Sequence, residues 1–189
     1  MDKHLIHTKK PIEQEIGGYP GERDTIIQIT GNKPEEIGKA AKLCAQVGYK
    51  GINVNCGCPS KKANNHHGAY LMKDPLLVRS LLESIIDSTK DYGEIEYSVK
   101  CRIGVDELDS YEYLSNFIHT TSQSGVNNYI IHARKAMLKL DTKDNLKVPP
   151  INYEFATKLV SDFPHINFVI NGEIKLLQDV KYFLDRGVR

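Results

Sequence analysis

The apolar and polar positions of this chain switch repeatedly between a strand period and a helix period. Thr25-Ile-Ile-Gln-Ile-Thr30 is β-branched and apolar, and Gly31-Asn32 closes it, which predicts a strand. Pro34-Glu35-Glu36 predicts the start of a helix, because proline suits the first turn and the acids complement the positive end of the dipole. Ile37, Ala40, Ala41, Leu43, Cys44 and Val47 follow at helical spacing, and Gly48 is the stop. Ile52 to Asn55 is a second short strand. Asp74 caps a helix with Pro75 at its first position, carried on by Leu76, Leu77, Val78, Leu81, Leu82, Ile85 and Ile86. Ile95 to Ile103 reads as a third strand, ended by Gly104. Asp109 or Ser110 starts a helix through Tyr113, Leu114, Phe117 and Ile118 that ends by Gly125. Asn128 to Ala133 is a fourth strand, and a polar loop from Arg134 to Pro150 follows. Asn152 to Asp162 is a helix, Asn167 to Ile170 a fifth strand, and Ile174 to Leu184 a last helix.

Five successive strand–helix units with short, apolar strands predict a parallel α/β sheet with right-handed crossovers. Such a sheet is either open and doubly wound or closed as a TIM (β/α)₈ barrel. No Gly-x-Gly-x-x-Gly follows a strand, which disfavours a dinucleotide-type open sheet. Polar residues gather instead at the carboxyl ends of all five strands: Gln28, Asn55 with Cys58, Lys100 with Arg102, His132 with Arg134, and Asn171. One rim carrying chemistry from many strands is the barrel arrangement. A full barrel takes eight strands and about 250 residues. The expectation is therefore a partial barrel, with an irregular segment over 1–23 and a barrel domain over 24–189.

Composition narrows the class. Of 189 residues, 40% are hydrophobic and 26% charged, as in ordinary globular proteins. No apolar run reaches the roughly 20 residues that span a bilayer, and Met1 to Lys10 lacks the apolar core of a secretion signal. Four cysteines without regular spacing fit reduced thiols, so a cytoplasmic setting is expected. A net charge of +1 means that any nucleic-acid surface must be local. The loop 134–147 is one such place: Arg134, Lys135, Lys139, Lys143 and Lys147 outweigh Asp141 and Asp144 by +3. Solvated loop charge is the plainer reading of each lysine.

The candidate chemistry centres on Cys56-Gly57-Cys58-Pro59, where the second strand stops. Pro59 fixes its own φ and restricts Cys58 to extended conformations, so the thiol is held in a limited geometry. A buried structural cysteine is the commoner fate of such a residue, and Cys56 is read that way. Alternation along Ser98-Val-Lys-Cys-Arg102 puts Lys100 and Arg102 on one face of the strand. Charge there is costly without a partner. Taken alone, Lys100 reads as a surface lysine and His132 as a satisfied core histidine. Asn55 reads as a cap on the loop backbone, and Asn171-Gly172 as a plain strand-to-helix turn that exposes backbone N–H groups.

Read together, these stretches resemble the tRNA-dihydrouridine synthases, and within them the A subfamily. The run Asn53-x-Asn55-x-Gly57-Cys58-Pro59-Ser60, ending in Gly68-Ala-x-Leu-Met72, carries the family likeness. Val99-Lys-Cys-Arg-Ile-Gly104 with Asp109 to Tyr113, Ile131 to Ala136, and Val148 to Tyr153 with Asp162 to His165 and Ile170 to Ile174 point to the subfamily. The resemblance covers roughly residues 24–188. It implies a TIM barrel, with this chain holding strands 3–7, and a helical tRNA-binding domain that is absent. It implies an FMN enzyme, recharged by NADPH, that reduces the 5,6 double bond of tRNA D-loop uridines at positions 20 and 20a. It also implies a protein that is monomeric when full-length, with no membrane or DNA partner.

On the matching positions, the resemblance makes Cys58 the proton donor to uracil C5, acting as a thiol rather than a thiolate. It gives Asn55 a hydrogen bond to the flipped uracil. Gln28, Lys100 and His132 become flavin contacts, and Asn171, Gly172 and Glu173 the loop at the flavin phosphate. Arg134 and Lys143 become tRNA contacts, to which Lys61, Lys62, His66 and His67 on the catalytic loop would add. The sequence also departs from the family. Leu146 stands near an expected arginine, with Lys147 as a substitute; the 134–147 loop is one residue shorter; and Tyr70 replaces a small residue. Two competing expectations remain. One is an inactive fragment or pseudoenzyme without competent flavin binding. The other is an FMN barrel acting on a free pyrimidine, against which the basic loop argues.

Overall fold

The structure is a computed structural model that describes residues 25–59 and 67–189. The expected N-terminal segment 1–23, together with Lys61, Lys62 and His66, lies outside the described residues. Among those described, five strands alternate with five α-helices: β1 (Ile26–Ile29), α1 (Pro34–Val47), β2 (Gly51–Cys56), α2 (Pro75–Thr89), β3 (Glu96–Arg102), α3 (Tyr111–Ser122), β4 (Asn128–His132), α4 (Tyr153–Asp162), β5 (Asn167–Asn171) and α5 (Leu177–Leu184).

The strands are all parallel, and their spatial order is their chain order, β1-β2-β3-β4-β5. With right-handed crossovers, an order that never reverses puts every helix on the same face of the sheet. A doubly wound sheet would have reversed direction. This is one wall of a barrel, as the sequence pattern predicts.

Burial alternates accordingly. Ile27, Ile29, Ile52, Val54, Cys56, Val99, Cys101, Tyr129, Ile131, Phe168 and Ile170 point toward the helices and are buried. Their core partners include Ile37, Ala41 and Cys44 of α1, Val78, Leu81 and Ile85 of α2, Leu114 and Phe117 of α3, and Leu159 of α4. The other set of side chains forms the concave face. It carries one register-matched polar row across all five strands: Gln28, Asn53, Ser98, Asn128 and Asn167. That face is open at both edges, where Ile26 is 47% exposed and Val169 40%.

The helix starts follow local chemistry. Asp74 Oδ1 accepts from the Leu77 N–H at 3.0 Å, Ser110 Oγ from the Tyr113 N–H at 3.1 Å, and Asn152 Oδ1 from the Phe155 N–H at 3.4 Å. Ser110, not Asp109, is therefore the cap. Two details differ from the sequence pattern. The segment Gly68–Lys73 winds as a 3₁₀ helix, and α5 starts at Leu177 rather than Ile174. Asp179 accounts for the later start, because its carboxylate accepts from the Leu176 N–H at 3.2 Å.

Candidate active site

Cys58 lies two residues beyond the end of β2 and is exposed, while Cys44, Cys56 and Cys101 are buried. Burial pushes the Cys56 thiol well above its ordinary value and the Cys101 thiol up to about 12, so both are inert packing groups. The turn that presents Cys58 is built by Asn55. Its Oδ1 accepts from the backbone N–H of Gly57 and of Cys58, each at 3.0 Å. The Cys58 carbonyl accepts from the Ala69 N–H at 2.9 Å, closing the loop onto the 3₁₀ helix. Gly68 makes that closure possible: its φ is +60°, and a Cβ there would lie 2.4 Å from the Cys58 oxygen.

The thiol opens into a cleft of about 360 Å³ lined by Gln28, Asn55, Lys100, Arg102, His132, Thr142, Leu146 and Asn171. A second cleft of about 420 Å³ shares His132, Leu146 and Asn171 and adds Arg134, Gly172, Glu173 and Lys175. The fold thus brings together the catalytic candidate Cys58 with Gln28, Asn55, Lys100, His132, Asn171, Gly172 and Glu173.

The clefts are cationic. Arg102 is 3% exposed and makes no ion pair among the described residues. Its guanidinium donates to the carbonyls of Gly57 at 3.1 Å and of Lys135 and Asn145 at 3.5 Å. Burial brings it down to about 10, with Cys58 opposing that fall and Arg134 reinforcing it. Burial also lowers the Lys100 ammonium. His132 falls to about 4 through burial and the charges of Arg102, Lys100 and Arg134, so its imidazole is neutral at pH 7.

Gly172 lies against His132. Its φ is +116°, and a Cβ would come within 2.7 Å of His132 Cδ2. Glu173 follows with a positive φ of 53°. The Glu173 carboxylate accepts from Arg134 Nη2 at 2.5 Å, and Tyr153 donates to the Gly172 carbonyl at 2.6 Å.

Two sequence-predicted tRNA contacts are placed differently from the rest. Arg134 is 5% exposed and turned inward, bonded to the Pro149 carbonyl and to Glu173. It braces the loop against the β5 turn. Lys143 is exposed, precedes a short 3₁₀ turn (Asp144–Leu146) and lies outside both clefts.

Several contributors escaped sequence reasoning. Asn145 is fully buried and organises the basic loop: its Oδ1 accepts from the Met137 N–H, and its Nδ2 donates to the carbonyls of Met137, Leu140 and Asp141. Lys73–Asp106 at 2.8 Å and Lys135–Asp109 at 2.6 Å tie the loops after β2, β3 and β4 together. No periodicity marks such loop residues. Asn53 and Ser98 are also buried polar groups, bonded to each other at 2.9 Å.

The sequence matches the family model for dihydrouridine synthase (Dus) over residues 2–189. It is 41% identical over 165 residues to the tRNA-dihydrouridine(20/20a) synthase of Shewanella oneidensis, covering 86% of this chain and 48% of that protein. It is 40% identical over 182 residues to the enzyme of the same name from Pasteurella multocida, covering 95% of this chain and 54% of the relative. The chain therefore spans about half the length of the curated relatives it matches. Among solved structures, the old yellow enzyme homologue from Zymomonas mobilis superposes with a TM-score of 0.50 at 14% identity, covering 80% of this chain and 44% of that one. That likeness concerns the fold alone.

Proposed function

The chain belongs to the dihydrouridine synthase family, and from that premise we propose that it carries the reacting half of an enzyme that reduces the C5–C6 bond of D-loop uridines 20 and 20a in tRNA. FMN is the proposed cofactor and NADPH the reductant. The observation that carries this reading is Cys58: an exposed thiol on a braced loop, facing a cleft that gathers Lys100, Arg102 and His132.

The residues fit a flavin. Arg102 is a buried cation with no carboxylate partner among the described residues, and Gly172 lets the turn after β5 press its backbone against the His132 ring where no Cβ would fit. Lys100 and Gln28 would meet the pyrimidine end of the ring, His132 would lie beside it, and Asn171, Gly172 and Glu173 would flank the phosphate. These residues would hold FMN, which, re-reduced by NADPH, would supply the hydride for uracil C6. Cys58 then delivers its thiol proton to C5, and solvent restores that proton. Because C5 and C6 are not reachable inside a stacked loop, the uridine must be flipped into the cleft.

Asn55 takes a modified role. With Oδ1 holding two backbone N–H groups and one Nδ2 hydrogen on Gln28, it retains a single donor for a uracil carbonyl. Arg134 supports the loop from within, and Lys143 stands on the outer side, where it would meet tRNA phosphate.

Exposure of the concave face at Ile26 and Val169 favours a second reading, in which the chain holds the site residues without retaining flavin. Both readings are tested by incubating the chain with FMN, desalting, and recording the visible spectrum. A retained flavin band is expected. Cys58→Ala should keep that band and lose tRNA reduction. A colourless protein favours the second reading, and full turnover by the variant removes Cys58 from the chemistry.

A further inference from the structure

We propose that Asn53 and Ser98, neither of which reaches the cleft's ligand space, are positioning residues for Cys58, acting through a one-way chain of hydrogen bonds. The inference rests on reading Cys58 as the reacting thiol.

The polarity of this chain follows from the backbone. Gly57 and Cys58 both present N–H donors, so Asn55 must turn its oxygen toward them, at 3.0 Å each. Its Nδ2 then faces Gln28, which must offer Oε1, at 3.1 Å. Gln28 Nε2 is left pointing at Asn53, which must accept through Oδ1, at 2.7 Å. Asn53 Nδ2 in turn needs an acceptor, and Ser98 Oγ provides it at 2.9 Å. Four side chains from three strands are fixed in sequence, and no single carboxamide can flip without setting donor against donor or oxygen against oxygen.

The far end of the relay is the anchored end. Asn53 and Ser98 are each 3% exposed, and they lie at matched register on adjacent strands. Flipping Asn53 would set its Nδ2 against Gln28 Nε2 and leave a buried donor unmet, which holds Asn53 to one orientation. That orientation determines what Gln28 keeps for a ligand: one N–H hydrogen and one oxygen lone pair. Such a pair complements an imide, the donor–acceptor pattern shared by uracil and the flavin pyrimidine ring.

The test is amide hydrogen exchange on the 189-residue chain, comparing the wild type with Asn53→Leu and Ser98→Ala. In Asn53→Leu the Gly57 and Cys58 amides should exchange about tenfold faster, the scale of one net hydrogen bond. The core amides of Val54 and Val99 should hold their rates. Ser98→Ala should move the loop amides in the same direction by less, and Ser98→Thr should restore them. Wild-type exchange at Cys58 in a folded Asn53→Leu protein overturns the proposal. If Asn53→Leu does not fold, unchanged Cys58 exchange in Ser98→Ala overturns it equally. The rates are read without flavin or tRNA, so failure of the proposed activity would not mimic failure of the relay.

Discussion

Arg102 Nε donates to the Gly57 carbonyl oxygen at 3.1 Å, tying the last residue of β3 to the loop that presents Cys58. The guanidinium is buried, and its partners among the described residues are neutral carbonyls. A buried cation held only by dipoles costs stability that an anionic ligand would return. Replacing it by an apolar side chain of similar length removes that cost. Arg102→Met is therefore expected to hold or raise the unfolding free energy of the ligand-free chain, by up to about 1–4 kcal/mol. The same change should abolish retention of FMN. Urea unfolding beside a flavin titration checks both. A drop in stability would mean that the three carbonyl bonds outweigh the burial cost.

Gly172 faces the His132 ring. At φ +116°, any Cβ is strained, and here it would also meet His132 Cδ2 at 2.7 Å. Gly172→Ala is expected to destabilise the chain by more than about 1 kcal/mol, because both the backbone and the imidazole must shift. Flavin retention should fall with it. Gly125, whose φ is +95° with nothing within 4 Å of a Cβ, is the control: Gly125→Ala should show the backbone cost without the loss of flavin.

The parallel wall was legible because its signals are local. β-branched runs, proline at helix starts and glycine at helix ends mark the units, and the unreversed strand order follows from the barrel reading. The rim residues were legible for a related reason: each sits at a strand end. What stayed hidden depends on contacts between distant loops. Nothing in the sequence around Arg134 shows that its guanidinium reaches Glu173, 39 residues on, at the wall of the second cleft. Asn145 looks like one more polar loop residue until four backbone groups converge on its amide. The 3₁₀ turn at Gly68–Lys73 has no periodic signature long enough to read, since runs of that helix are short.

His132 makes stability depend on pH in a defined window. Its folded value is about 4, below the ordinary value of 6.5, through burial and then the nearby charges of Arg102, Lys100 and Arg134. A histidine with a depressed folded value binds its proton more readily when unfolded. Its contribution is therefore fully present above pH 6.5 and is lost as pH falls toward 4. Urea unfolding at a series of pH values should show a fall in stability across that window. His132→Gln should flatten this part of the profile, while carboxylate titration below pH 4 remains. An identical slope in both proteins would mean that the imidazole is not held neutral by its surroundings.

Lys143 tests the proposed RNA face separately from the chemistry. It is exposed, it lies outside both clefts, and it stands on the loop that Asn145 organises from within. A lysine that meets a phosphate releases about one counterion, so its removal should lower the slope of log K against log salt by about 1 and weaken every tRNA alike. Lys143→Gln should show that change in binding assays run between low and moderate salt. It should leave flavin retention and the melting temperature where they are, because the side chain is exposed and lines neither cleft. Asn145→Ala should act differently. It orphans the Met137 N–H and frees the three carbonyls that its amide holds, so the whole loop loses its shape. Its tRNA affinity should fall further than that of Lys143→Gln, with a loss of thermal stability that the lysine variant lacks. Equal salt slopes for wild type and Lys143→Gln would remove this lysine from the interface and leave Lys139 and Lys147 as the next to test.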